Sequence, residues 1–162
     1  MEEKFLQIIK ENQGIIHKVC NIYCDDMEDR NDLFQEIVAQ LWKSFPAFRN
    51  ESKVTTWMYR VAFNTAITSF KKSKRRPDQY KLAYENFDVE EEKYDAKTDE
   101  DIKHLHRAVA RLSGVEKSII LLYLENKKYE EIAEITGITQ NYVRVKMNRI
   151  KKKLKKLMET KK

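Results

Sequence analysis

The sequence predicts an all-α protein: two small helical domains joined by an acidic, flexible linker. Three observations carry that prediction. Apolar residues recur at spacings of three and four along most of the chain, only three Gly and two Pro occur among 162 residues, and one aperiodic acidic stretch interrupts the pattern. Charge is spread unevenly along the chain. Residues 1–76 carry 13 Lys and Arg against 10 Asp and Glu (+3), residues 77–112 carry 6 against 10 (−4), and residues 113–162 carry 13 against 6 (+7). Two basic ends suit a chain that meets a polyanion, because neutralising phosphates releases counterions.

In order along the chain, residues 2–24 place Phe5, Ile8, Ile9, Ile16, Val19 and Tyr23 at helical spacing, which predicts one helix with one buried stripe. CDDMEDRND is a polar turn in which Asn31 or Asp32 caps the next helix, whose stripe is Leu33, Phe34, Ile37, Val38, Leu41 and Trp42. Pro46 ends that helix. AFRNESK has no apolar period and reads as a loop, followed by a helix over 54–74 carrying Trp57, Met58, Val61, Ala62, Ile67 and Phe70. These elements make a first domain, 1–76. PDQYKLAYENFDVEEEKYDAKT is acidic and aperiodic, a linker over 77–98. The second domain, 99–162, opens with a helix carrying Ile102, Leu105, Ala108 and Val109. A capping box in SGVE, Ser113 with Glu116, then starts a helix with Ile119, Ile120, Leu122, Tyr123 and Leu124.

YEEIAEITGITQNYVRVKMNRIKKKLKKL, residues 129–157, has the pattern of a helix-turn-helix. Ile132 and Ala133 form its buried pair, Gly137 supplies the positive φ of the turn, Ile138 plugs the corner and Thr139 caps the second helix. Val143, Met147, Ile150, Leu154 and Leu157 then recur at four, three, four and three. That leaves Gln140, Asn141, Arg144, Val145, Asn148 and Arg149 for a major groove, where Arg bridges guanine, Asn or Gln bridges adenine and Val touches a thymine methyl. Lys151, Lys152, Lys153, Lys155 and Lys156 lie further along and face phosphates.

Upstream, aromatic and polar residues alternate along the helix that ends in KKSKRR, a combination used to stack and neutralise single-stranded DNA. Trp57, Phe63 and Phe70 read as core, whereas Tyr59, Arg60 and Asn64 lie off the apolar stripe. The segments DLFQEIVAQLW, FRNESKVTTWMYRVAFNTA, the basic run after them and YEEIAEITG resemble, in order and spacing, the second and fourth domains of bacterial RNA polymerase sigma factors. With only those two domains, the chain resembles the extracytoplasmic-function (ECF) group of the sigma-70 family. The resemblance implies a noncatalytic subunit that binds the beta prime and beta subunits of core RNA polymerase and directs promoter recognition, melting and initiation. It implies that Asp32, Gln35 and Glu36 dock on the beta prime coiled coil. It also implies that Phe48, Asn50, Glu51, Ser52 and Lys53, with Tyr59, Arg60 and Asn64, capture flipped bases of the minus-ten element. Gln140, Asn141, Arg144, Val145, Asn148 and Arg149 fall to the minus-thirty-five element, and an anti-sigma factor is an expected further partner. At Asn141, Tyr142, Lys146 and Ile150 the chain departs from residues common in the family, which bears on base preference.

Two rival functions are weaker. A helix-turn-helix regulator acting without polymerase accounts for 129–157 and leaves the first domain's aromatic and basic pattern unexplained. A two-metal nuclease using Asp25, Asp26, Asp29, Asp32 and Glu36 needs carboxylates converging from several elements, and these crowd one turn and one helix face. His17, Cys20 and Cys24 share a helix face but read as a packed stripe; His104 and His106 point apart, so no metal or cofactor is expected. No run of about 18 apolar residues occurs and MEEKFLQIIKENQG is too acidic for a signal peptide, so the expected location is cytoplasmic, without membrane insertion and with both cysteines as thiols.

Overall fold

The computed structural model describes residues 1–74 and 96–159, and every regular element in them is helical. The first half holds α1 (Glu2–Glu11), α2 (Gln13–Tyr23), α3 (Met27–Ser44) and α4 (Val54–Lys74); the second holds α5 (Ala96–Ala110), α6 (Gly114–Leu124), α7 (Tyr129–Thr136) and α8 (Gln140–Glu159). The acidic linker of 77–98 lies outside the described residues, except for its last three, which already belong to α5.

Two starts differ from the sequence reading, each for a local reason. The single helix expected over 2–24 breaks at Asn12, whose Nδ2 donates to the Ile8 carbonyl at 2.9 Å and whose backbone amide turns to the Ile8 and Ile9 carbonyls. Such a side chain competes with the helical ladder. The break lets Phe5 and Ile9 of α1 join Ile16, Val19 and Tyr23 of α2 in one core. α3 begins at Met27 because Asp26 caps it, accepting from the Glu28 amide at 2.6 Å; Asn31 and Asp32 are therefore inside the helix. Pro46 ends α3 as expected, in a 3-10 turn over Phe45–Ala47.

In the second half the capping box forms in full. Ser113 Oγ accepts from the Glu116 amide at 3.2 Å, and Glu116 Oε1 accepts from the Ser113 amide at 2.9 Å. Burial pushes the Glu116 carboxyl up, but the Ser113 amide and Lys153, whose Nζ is 3.2 Å away, more than offset this and leave it below the usual range. Some stripes are narrower than their spacing suggests. Burial on α5 falls on Ala108, while Ile102 and Leu105 are exposed; on α6 Tyr123 and Leu124 face outward. Trp42 is 45% exposed because it lies at the rim of the core, edge-on to Phe5 at 5.0 Å between ring centres.

The buried residues of both halves form one continuous cluster, with α2 and α4 packed on α6 and α4 packed on α7. The approach at Gly114 is close, since a Cβ there would stand 3.3 Å from Ile67. The Tyr23 hydroxyl donates to the Gly114 carbonyl, and burial holds that hydroxyl far above its ordinary pKa. Lys117, only 3% exposed, sets its Nζ 4.3 Å from the Phe70 ring centre and 5.7 Å from that of Tyr23. Lys18 Nζ meets Glu125 Oε2 at 2.6 Å across the same seam.

Gly137 has φ +78 and open space around it, while Gly14 is helical with nothing within 4 Å of where an added methyl would stand. We expect Gly137→Ala to lower unfolding free energy by about 1–2 kcal/mol through left-handed strain. Gly14→Ala should be neutral or stabilising by up to about 1 kcal/mol. Urea titrations check both, and equal effects at the two sites would contradict the turn geometry.

Candidate nucleic-acid interface

The helix-turn-helix assembles from its local signals. Gly137 takes the left-handed conformation and its amide donates to the Ala133 carbonyl, closing α7. Thr139 Oγ1 accepts from the Tyr142 amide at 3.1 Å, starting α8. Val143, Met147 and Ile150 are buried to within 1%. That seating turns Gln140, Asn141, Arg144, Val145, Asn148 and Arg149 to the exposed face, as the spacing predicts. The buried pair of α7 is Ile132 and Ile135, with Ala133 only partly covered, because Ile135 is the residue that turns to the core. Part of the lysine tail folds back on α6: Lys153 pairs with Glu116, and Lys151 Nζ lies 4.9 Å from the Tyr123 ring centre. These two lysines are committed to protein contacts in a way their sequence did not reveal.

On α3, Leu33, Ile37 and Leu41 are buried to 3% or less, and this fixes Asp32, Gln35 and Glu36 on the solvent face. The three form one exposed acidic and polar strip.

The remaining sequence-predicted residues gather around the turn after α3. Phe48 stacks on Trp57, ring centres 4.8 Å apart and planes at 24°, and Asn50 adopts φ 58 to turn the loop. A cleft of about 440 Å³ opens here, lined by Phe48, Arg49, Glu51, Ser52, Trp57 and Arg60, with Glu134 of α7 forming one wall. Four of the eight residues expected here thus line one cavity. Asn50 and Lys53 stay on the exposed loop, and Asn64 is exposed one turn beyond Arg60. Tyr59 requires a correction: it is 3% exposed and stacks on Phe63 at 5.6 Å, so it lies in the core and not off the stripe. Its burial, with the Glu125 charge nearby, pushes its hydroxyl up to about 12. The second half covers it, which periodicity within α4 alone does not show.

Arg60 is also engaged. Its Nε and Nη2 donate to the Glu134 backbone carbonyl at 3.1 and 2.8 Å. Sequence reasoning missed Arg49, Trp57 and Glu134 as lining residues. Arg49 was legible as the cation beside Phe48; Glu134 lies 74 positions from Arg60 and carries no local signal.

Among the described residues no group of three or more His, Cys, Asp and Glu gathers as a metal site. His17 stacks on Phe34 at 4.8 Å, and burial pushes the Cys20 thiol up to about 11 and the Cys24 thiol up to about 12, disfavouring thiolates.

An all-helical protein with an exposed helix-turn-helix face belongs to the class of helix-turn-helix DNA-binding proteins. Comparison with known proteins narrows the class. Residues 8–76 match Sigma-70 region 2, and residues 103–154 match Sigma-70, region 4. The chain is 30% identical over 144 residues to RNA polymerase sigma factor SigV of Bacillus subtilis, covering 87% of this chain and 82% of that protein. It is 32% identical over 145 residues to the ECF RNA polymerase sigma-E factor of Haemophilus influenzae, covering 80% and 77%. In fold it is similar to the sigma factor RpoE of Bartonella quintana, solved with the anti-sigma factor NepR, at a TM-score of 0.67, 16% identity and coverage of 99% and 98%. The chain belongs to the sigma-70 family, in its ECF group. It is therefore an alternative sigma factor, a polymerase-binding subunit of transcription initiation, in a family whose members are not in general enzymes. No described helix is long and apolar enough to cross a membrane.

Proposed function

We propose that residues 1–76 hold core polymerase and trap the melted minus-ten strand, while residues 99–162 grip duplex at the minus-thirty-five element, the two joined by 77–98. Asp32, Gln35 and Glu36 dock on the beta prime subunit. A base flipped from the non-template strand enters the cleft at Phe48 and Arg60, where stacking and polar groups of Glu51 and Ser52 replace what it loses on leaving the helix. Asn64 meets the strand one turn further on. Arg144, Val145, Asn148 and Arg149, with Gln140 and Asn141, read the upstream groove. The chain itself catalyses nothing and works in the cytoplasm. An anti-sigma partner is proposed by analogy with the Bartonella protein, which was solved with one. The observation that carries this reading is the presence in one chain of a stacked, arginine-bearing cleft and an exposed helix-turn-helix face.

Run-off transcription over genomic fragments from its own cell, with core polymerase, tests the reading. The chain should create new start sites; tight DNA binding without core association or new starts would refute it. Asn64→Ala is expected to lower initiation about tenfold, the loss of roughly one charged-strength hydrogen bond, on both duplex and pre-melted templates. Unchanged initiation would remove Asn64 from the strand contacts. Reversing charge at Arg144 and Arg149 should leave core binding intact and reduce the salt slope of promoter binding by about one for each phosphate no longer neutralised.

A further inference from the structure

We propose that Tyr142 is a further base-reading residue of the upstream grip, and that with Val145 it forms an apolar platform for the methyl groups of two neighbouring thymines. This rests on the reading of α8 as the helix that enters the minus-thirty-five major groove. Tyr142 is 43% exposed and Val145 37%, the two large apolar side chains that α8 leaves exposed among its described residues. They stand three positions apart, so they are neighbours on one helix face. Arg149, one turn beyond Val145, continues the same exposed edge. The platform is held from behind. Val143 and Met147 are buried to within 1%, and the Tyr142 amide itself donates to Thr139 Oγ1 at 3.1 Å, which fixes Tyr142 in the first turn of α8. At the other end of the helix, Lys153 on Glu116 and Lys151 over Tyr123 tie α8 to α6, so its roll about its own axis is set. Residues of the first turn are the ones a recognition helix brings to base edges. Lys146 Nζ lies 5.6 Å from the Tyr142 ring centre, and this cation limits the sweep of the ring. What Tyr142 and Val145 share is apolar surface, and the apolar feature of a base edge in the major groove is the thymine C5-methyl group. Three residues advance about 4.5 Å along a helix and one base pair about 3.4 Å along DNA, so the two contacts fall on neighbouring base pairs.

Promoters that the chain opens together with core polymerase supply the duplexes for the test, and deoxyuridine supplies the probe, because it keeps the hydrogen-bonding edge of thymine and lacks only the methyl. Each thymine of the upstream element is replaced singly, and binding of the chain with core polymerase is measured. The wild-type chain should lose about fourfold in affinity at each of two neighbouring thymines, the worth of one buried methyl group. Tyr142→Ala should remove the penalty at one of them and Val145→Ala at the other, while Tyr142→Phe, which keeps the ring, should retain both. Both side chains are exposed, so the helical circular dichroism of all three variants should match the wild type. A uridine penalty that persists at every thymine in Tyr142→Ala overturns the proposal. So does a loss in Tyr142→Phe that is equal on every sequence, since the hydroxyl would then be holding phosphate. These two results leave α8 standing as the upstream helix. If charge reversal at Arg144 and Arg149 leaves promoter binding and its salt slope unchanged, the reading of α8 itself fails, and the platform falls with it.

Discussion

Much of the molecule's arrangement follows from the close approach of α6 to α2 and α4 at Gly114. A buried hydroxyl needs a partner, and Tyr23 finds it in the Gly114 carbonyl, where the missing side chain eases the approach to Ile67. Magnitudes rank the contacts along this seam. A buried apolar side chain contributes about 1.5–3 kcal/mol and a satisfied hydrogen bond about 1, whereas a partly exposed ion pair such as Lys18 with Glu125 contributes at most about 1. Packing and the Tyr23 bond therefore set the seam, and the ion pair trims it. The placement of Lys117 over Phe70 follows, since a cation this buried needs an electron-rich surface.

The same burial that builds the helices sorts the surfaces by charge and by partner. Leu33, Ile37 and Leu41 fix an acidic strip on α3, suited to a protein partner, while Val143, Met147 and Ile150 fix a reading face on the basic half, suited to phosphate and base edges. The cleft at Phe48 sits between these roles. Its floor is the Phe48–Trp57 stack, held by the turn that Pro46 imposes, and its rim carries Arg60. An aromatic floor with a cationic rim is what an unstacked nucleotide needs.

Local chemistry was legible in the sequence, and contacts between distant segments were not. Gly137, Thr139 and the Ser113–Glu116 box announced their helix ends because each acts on its own turn. Asn12 and Asp26 acted just as locally, yet the apolar rhythm running across them masked the first, and the choice among several acidic residues obscured the second. The stripe of α4 read correctly for Trp57 and wrongly for Tyr59, because the side of the helix that buries Tyr59 is covered by residues of the second half. For the same reason the sequence offered Arg60 as an open contact, while the fold binds it to a carbonyl 74 positions away.

The strand capture proposed for the first half turns on whether the cleft at Phe48 receives a base from the melted non-template strand. Placing a photoreactive phenylalanine analogue at position 48 and irradiating the complex of chain, core polymerase and promoter measures this directly. Cross-links should form to the non-template strand, confined to the minus-ten segment and present only once the DNA has opened. Cross-links of equal yield to both strands, or to closed duplex, would show that Phe48 does not hold a captured base.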